Sequence, residues 1–165
     1  MKVPTLSETE RLILINQYEI LSALQPSEKR HRQCIEALQS GYEGLYGRLM
    51  FEFISKPIPA SVSDEVQDIF DMYRALDAAY KRGIAKPEGA HPQFDGFDGN
   101  NDQHHTLGVF LVETMGLWGE LKSRPMNSHS QAELPAYLRM LEVYRSLGKP
   151  YPLSEDHVRQ IVEAG

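Results

Sequence analysis

A single cysteine, Cys34, is the chain's whole capacity for sulfur bridging. One thiol cannot close an internal disulfide, so nothing here points to an oxidising compartment. A membrane helix needs an apolar run of about eighteen residues, and none of that length is present. The opening residues, MKVPTLSETER, lack the basic-then-apolar order of a secretory leader. A cytoplasmic protein is therefore expected. Basic residues are also short: 17 Lys and Arg stand against 23 Asp and Glu, a net charge of −6. A general binder of nucleic acid or of anionic membranes needs a basic face, so neither partner is expected. The longest basic cluster, Lys29-Arg30-His31-Arg32, reads as a solvated helix face. Period-two alternation and internal repeats are absent. So are HExxH, G-x-S-x-G, a Walker loop and paired CxxC. A Ser-His-Asp arrangement can be assembled from distant residues, so sequence alone does not exclude one.

What remains is helical. The 165 residues suggest one domain, with residues 1–6 as a flexible N-terminus. Ser7 stands three residues before Glu10, the spacing of a capping box. Ile13, Leu14, Ile20, Leu21 and Leu24 then recur at helical period, and Pro26 ends the run. Gln17 lies in that stripe. If buried, it either ties the helix to a neighbouring backbone or lines a polar pocket. A second helix is expected from about Ser27 to Ser40 with Gly41 as C-cap, and a short third from about Glu43 to Phe53. The fourth carries Val62, Val66, Ile69, Phe70, Tyr73, Leu76 and Tyr80 as one stripe, with Ser61 or Ser63 as cap and Gly83 as terminator.

The stretch 84–100 lacks periodicity and is expected to be a long loop, pinned to the core by Phe94 and Phe97. Next comes the most apolar run of the chain. Leu107, Phe110, Leu111, Thr114, Trp118 and Leu121 share a face, and Val109, Val112, Met115 and Leu117 widen it. A helix apolar nearly all round is buried, so a central interior helix is expected over about 101–122, capped by Asn100 or Asn101. Gly108, Val112, Gly116 and Gly119 offer a small-residue face for close packing; a break near Gly116 is the alternative. Ser130 and Glu133 suggest another capping box. Leu134, Tyr137, Leu138, Leu141, Tyr144 and Leu147 follow, and Ser154 caps a last helix. The fold class is all-α: about seven helices around a central one.

Ligand chemistry is concentrated just before that central helix. Asp98, Asn100 and Asp102 have the first three spacings of a calcium loop. Gln103 then stands where the turn glycine belongs, and Val109 where the bidentate glutamate belongs. Asp102 and His105 can meet on one helical face. A transition-metal site would need further ligands from His91, His129 or Glu113. The competing reading is a helix start, whose free N–H groups and dipole attract carboxylates. No cofactor and no metal are expected; Asp98, Asp102 and His105 are the candidates should one bind.

RLILINQYEIL at 11–21, GYEGLYG at 41–47, DIFDMYRAL at 68–76, GFD at 96–98 and YLRMLEVYRSLGKPYPLSEDHVRQIV at 137–162 resemble the YfbU family of bacterial proteins. The likeness runs from Leu6 onward. It implies an all-α cytoplasmic protein without an assigned activity and supplies no catalytic residues.

Three functional readings follow. The first is a non-enzymatic interaction or regulatory protein acting as a homodimer, with Tyr42, Tyr46 and Phe51 as interface anchors. The second is metal-assisted hydrolysis by Asp98, Asp102 and His105. The third is a small-ligand pocket between the GFD loop and the first helix, using Gln17 and Asp98.

Overall fold

Local signals place most helix ends where they occur. The computed structural model describes residues 5–87, 91–129 and 131–165. Among these it contains seven α-helices, and the one β-type contact is an isolated parallel bridge between Phe97 and Asn127. The all-α expectation holds. The chain divides into two units, Met1–Pro57 and Ile58–Gly165.

In the first unit, α1 spans Glu8–Leu24 and α2 spans Lys29–Ser40. The capping box forms as expected: Ser7 Oγ accepts the Glu10 N–H, and the Glu10 carboxylate accepts the Ser7 N–H. Gly41 closes α2 in the left-handed region. α3, Glu43–Tyr46, runs into a π-helical turn over Gly47–Phe51. The small core here is Cys34, Ala37, Leu38 and Tyr46. Leu14, Ile15 and Tyr18 of α1 pack on it. Of the expected flexible stretch 1–6, residues 1–4 lie outside the described residues. Leu6 packs on the small core, and Thr5 donates to Glu43.

The second unit is built on α4, Ala60–Lys81, which packs against α5, α6 and α7. Val66, Ile69, Phe70, Met72, Tyr73, Ala75, Leu76 and Ala79 are buried along it. Full burial of a large apolar side chain contributes about 1.5–3 kcal/mol, so this one helix carries much of the unit's stability. Its N-cap is Pro59 rather than Ser61 or Ser63. The proline ring presets φ for entry into the helix, and both serines fall inside the first turn.

The expected interior helix over 101–122 is corrected. α5 covers only Gln103–Val109, and a π-helical turn follows over Phe110–Thr114. The chain then leaves the helix at Gly116, where φ is +70°. The Leu117 N–H reaches back to the Leu111 carbonyl at 3.0 Å. That closure is one residue wider than an ordinary helix C-cap because the last turn is π-wound. Trp118 is itself left-handed, and a 3-10 turn spans Gly119–Leu121. Leu111, Val112, Trp118 and Leu121 are buried, but Phe110, Met115 and Leu117 are exposed. The run is therefore one-sided, and α4 holds the centre. Of the small-residue face, Gly108 does meet a neighbour: a Cβ there would stand 3.1 Å from Phe70 Cζ. Gly116 and Gly119 face open space.

The loop after α4 is pinned by Phe94 and Phe97, both buried, as expected; its residues 88–90 lie outside the described residues. The Phe97 N–H donates to Met126 O and the Ser128 N–H to Phe97 O. Gly96, at φ +99°, lets this strand-like contact close, since its α-carbon lies against the backbone of Asn127. α6 spans Leu134–Ser146 with Glu133 as N-cap and Pro135 in its first turn. Ser130, the expected cap, lies outside the described residues. α7, Glu155–Glu163, starts at the expected Ser154.

Candidate functional site

Asp98 and Asp102 come together around a turn. Asp102 Oδ2 accepts the Asp98 N–H at 3.1 Å. The Asp98 carboxylate accepts the Asn100 N–H at 2.9 Å and the Asn101 side-chain amide. This is the local bonding by which aspartate stabilises a turn. The Asn101 amide, and then the Asn100 N–H, hold the Asp98 carboxyl below the usual carboxylate range against the opposing effect of burial. The Asn101 backbone and the charge of nearby half-buried His105 add smaller contributions. Asp102 takes the N-cap position of α5, displacing the expected Asn100 or Asn101. The asparagines serve the preceding turn instead.

The supplementary ligands do not join this cluster. His91 Nδ1 lies 2.7 Å from Glu133 Oε2. His129 is exposed at φ +53°, and Glu113 is exposed on the π-helical turn. Among the described residues no group of three or more His, Cys, Asp or Glu is placed to hold a metal ion. The arrangement therefore offers a secured turn and no ligand set.

Two histidine–carboxylate pairs escaped the sequence reading. His104 is buried, with Nε2 2.9 Å from Glu65 Oε2 on α4 and its ring 5.6 Å from Phe97. His91, paired to the N-cap residue of α6, sets its ring 5.7 Å from Tyr137. The residues of the first pair are 39 positions apart, a separation that no local pattern reports. Between the pairs lies an aromatic cluster of Phe70, Tyr73, Phe94, Phe97 and Tyr137. Burial pushes the Tyr73 and Tyr137 phenols well above their ordinary range, so both stay neutral. Tyr73 donates to the His91 carbonyl at 3.3 Å, and the Tyr137 hydroxyl accepts the Asp95 N–H at 3.0 Å. These hydroxyls fasten the loop.

Gln17 and the interface candidates belong to the first unit. Tyr46 is buried and is core, which corrects its expected place on a surface. Tyr42 is exposed and Phe51 half-buried. Gln17 is exposed as well, so the condition of burial under which it would tie a backbone or line a pocket is not met. The reason lies in α1, which has no fully buried residue. It turns Leu14, Ile15 and Tyr18 inward and leaves Leu12, Ile13, Ile20, Leu21 and Leu24 at 57, 51, 62, 37 and 73% exposure. Gln17 sits in the middle of that outward face. Arg11, the one cationic side chain of α1, turns inward and donates to the Leu38 carbonyl at 3.1 Å.

Among the described residues no helix is long and apolar enough to cross a membrane. Open grooves among the described residues include two of moderate size. One, of about 520 Å³, is lined by Ala85, Pro87 and α7 residues including Asp156 and Arg159. The other, of about 410 Å³, lies in the first unit beside Glu36, Tyr42 and Arg48. Neither is lined by Gln17, Asp98, Asp102 or His105.

Residues 4–164 match the family model described as the YfbU domain. A UPF0304 protein of Methanocaldococcus jannaschii is 31% identical over 170 residues, covering 96% of this chain and 99% of the relative.

Proposed function

This chain belongs to the YfbU family, and from that premise we propose a non-enzymatic protein-interaction module that works as a homodimer in the bacterial cytoplasm. The outward apolar face of α1 carries the reading. Five large aliphatic side chains there stand more than a third exposed on a single helix. Contiguous exposed apolar surface of this kind marks an interaction site, whereas scattered single residues do not. The small core beneath adds support. Only Cys34, Ala37, Leu38 and Tyr46 are buried apolar residues among the described part of the first unit. A segment of that size buries too little by itself for ordinary stability and gains from a second surface. The family match spans both units, which supports treating 1–165 as one functional domain.

Sedimentation velocity at micromolar concentration tests this. A species of twice the chain mass is expected, and a monomer across the concentration range overturns the reading. Titration of the purified protein with zinc, manganese and magnesium should leave its melting temperature unchanged; a metal-dependent rise would reopen hydrolysis.

A further inference from the structure

We infer that the outward stripe of α1 is an antiparallel helix seam between two copies of this chain, with Gln17 setting its register. The inference rests on the homodimer reading and specifies its surface. Ile13, Gln17, Ile20 and Leu24 follow one another at steps of four, three and four. Alternation of fours and threes is the spacing of a packed helix seam, because 3.6 residues complete a turn. All four side chains are exposed. The helix's other face is already engaged through Leu14, Ile15 and Tyr18.

The occupant follows from symmetry and charge. Read backwards, the steps are still four, three and four. A two-fold axis crossing between residues 18 and 19 therefore sets Ile13 opposite Leu24 of the partner and Gln17 opposite Ile20 of the partner. That is the self-complementarity a two-fold interface requires. Glu8 and Glu10 lie in the first turn of α1, and its last turn holds no basic residue. A parallel pair would gather four carboxylates at one end, whereas the antiparallel pair separates them. Gln17 is the polar member of the seam. Its amide both donates and accepts, and in this register the two copies of Gln17 lie about 4.5 Å apart along the axis. Each can satisfy the other, and a shift in register would leave both unpaired among aliphatic side chains. A single polar residue in an apolar seam fixes alignment in this way.

The test is site-specific cross-linking of the full chain, with Ile13→Cys and Leu24→Cys prepared separately. Cys34 is buried, so the unaltered protein is the control. Each variant alone, and an equilibrated mixture of the two, is treated with a short bismaleimide and its mass is measured. Like positions in the antiparallel seam are about 16 Å apart along the axis, so only the mixture should yield a covalent dimer. Ile20→Glu should turn the dimer into a monomer with unchanged far-ultraviolet circular dichroism. A dimer in which either variant links to itself overturns the antiparallel register and leaves the homodimer reading intact. A dimer with no link in any sample overturns the seam alone. A monomeric unaltered protein overturns both, whether the stripe is free, closed within its own chain or kept for a different protein.

Discussion

Gly108 on α5 lies tight against Phe70 on α4: a Cβ on Gly108 would stand 3.1 Å from Phe70 Cζ. Phe70 has no room to retreat. It is fully buried, with Phe94, Phe97 and Trp118 around its ring at centroid distances of 5.3, 6.0 and 5.5 Å. Alanine would gain roughly 1 kcal/mol in helix propensity. A branched side chain gains less and overlaps more. Gly108→Val should therefore destabilise the protein by about 1–3 kcal/mol, read as a lower urea midpoint with unchanged slope.

Gly96 is constrained by its backbone as well as its space. At φ +99° it lies where side chains rarely go, and a Cβ would fall 2.9 Å from backbone atoms of Met126 and Asn127. Gly96→Ala should cost about 1–3 kcal/mol through strain alone and open the Phe97–Asn127 bridge. Amide exchange at Phe97 and Ser128 should accelerate well beyond that of α4.

Asp98 links stability to acid. Its folded carboxyl titrates below the unfolded value, first because the Asn101 amide bonds the charged form. Its contribution is then complete above the unfolded value, near 4, and disappears as pH falls through the folded one. Asp68 behaves alike: burial opposes its charge, and Lys149 and Arg145 more than offset that. Urea midpoints measured from pH 6 to pH 3 should fall. Asp98→Asn should be less stable at pH 6 and lose less on acidification; a parallel loss in both proteins would refute the assignment.

Cys34 should be inert while the chain is folded. It is fully buried, and burial pushes its thiol up despite the Tyr18 hydroxyl and the Arg30 charge. Because the thiolate is the reacting form, labelling by an aromatic disulfide at pH 7.5 should be more than about tenfold slower than in urea.

The helix ends were legible before any coordinates. Ser7 with Glu10, Gly41 after α2, Gly83 after α4 and Ser154 before α7 act within a few residues of themselves, so their spacing states their role. Phe94 and Phe97 in a stretch without periodicity likewise announced a loop held down by aromatic rings. The candidate site was legible only in part. Asp98 and Asp102 do converge, but the pattern could not say that turn amides already occupy Asp98.

The helical class, most of the caps and the outline of the pinned loop follow from residue order, because hydrogen bonds and backbone preferences over three or four residues settle them. Long-range packing made α4 and not 107–121 central, paired His104 with Glu65, and turned Ile13, Gln17, Ile20 and Leu24 of α1 outward. Helical period marks an apolar stripe equally well whether it meets a core or faces away from one. Which of two stripes is buried depends on surfaces contributed by residues far along the chain.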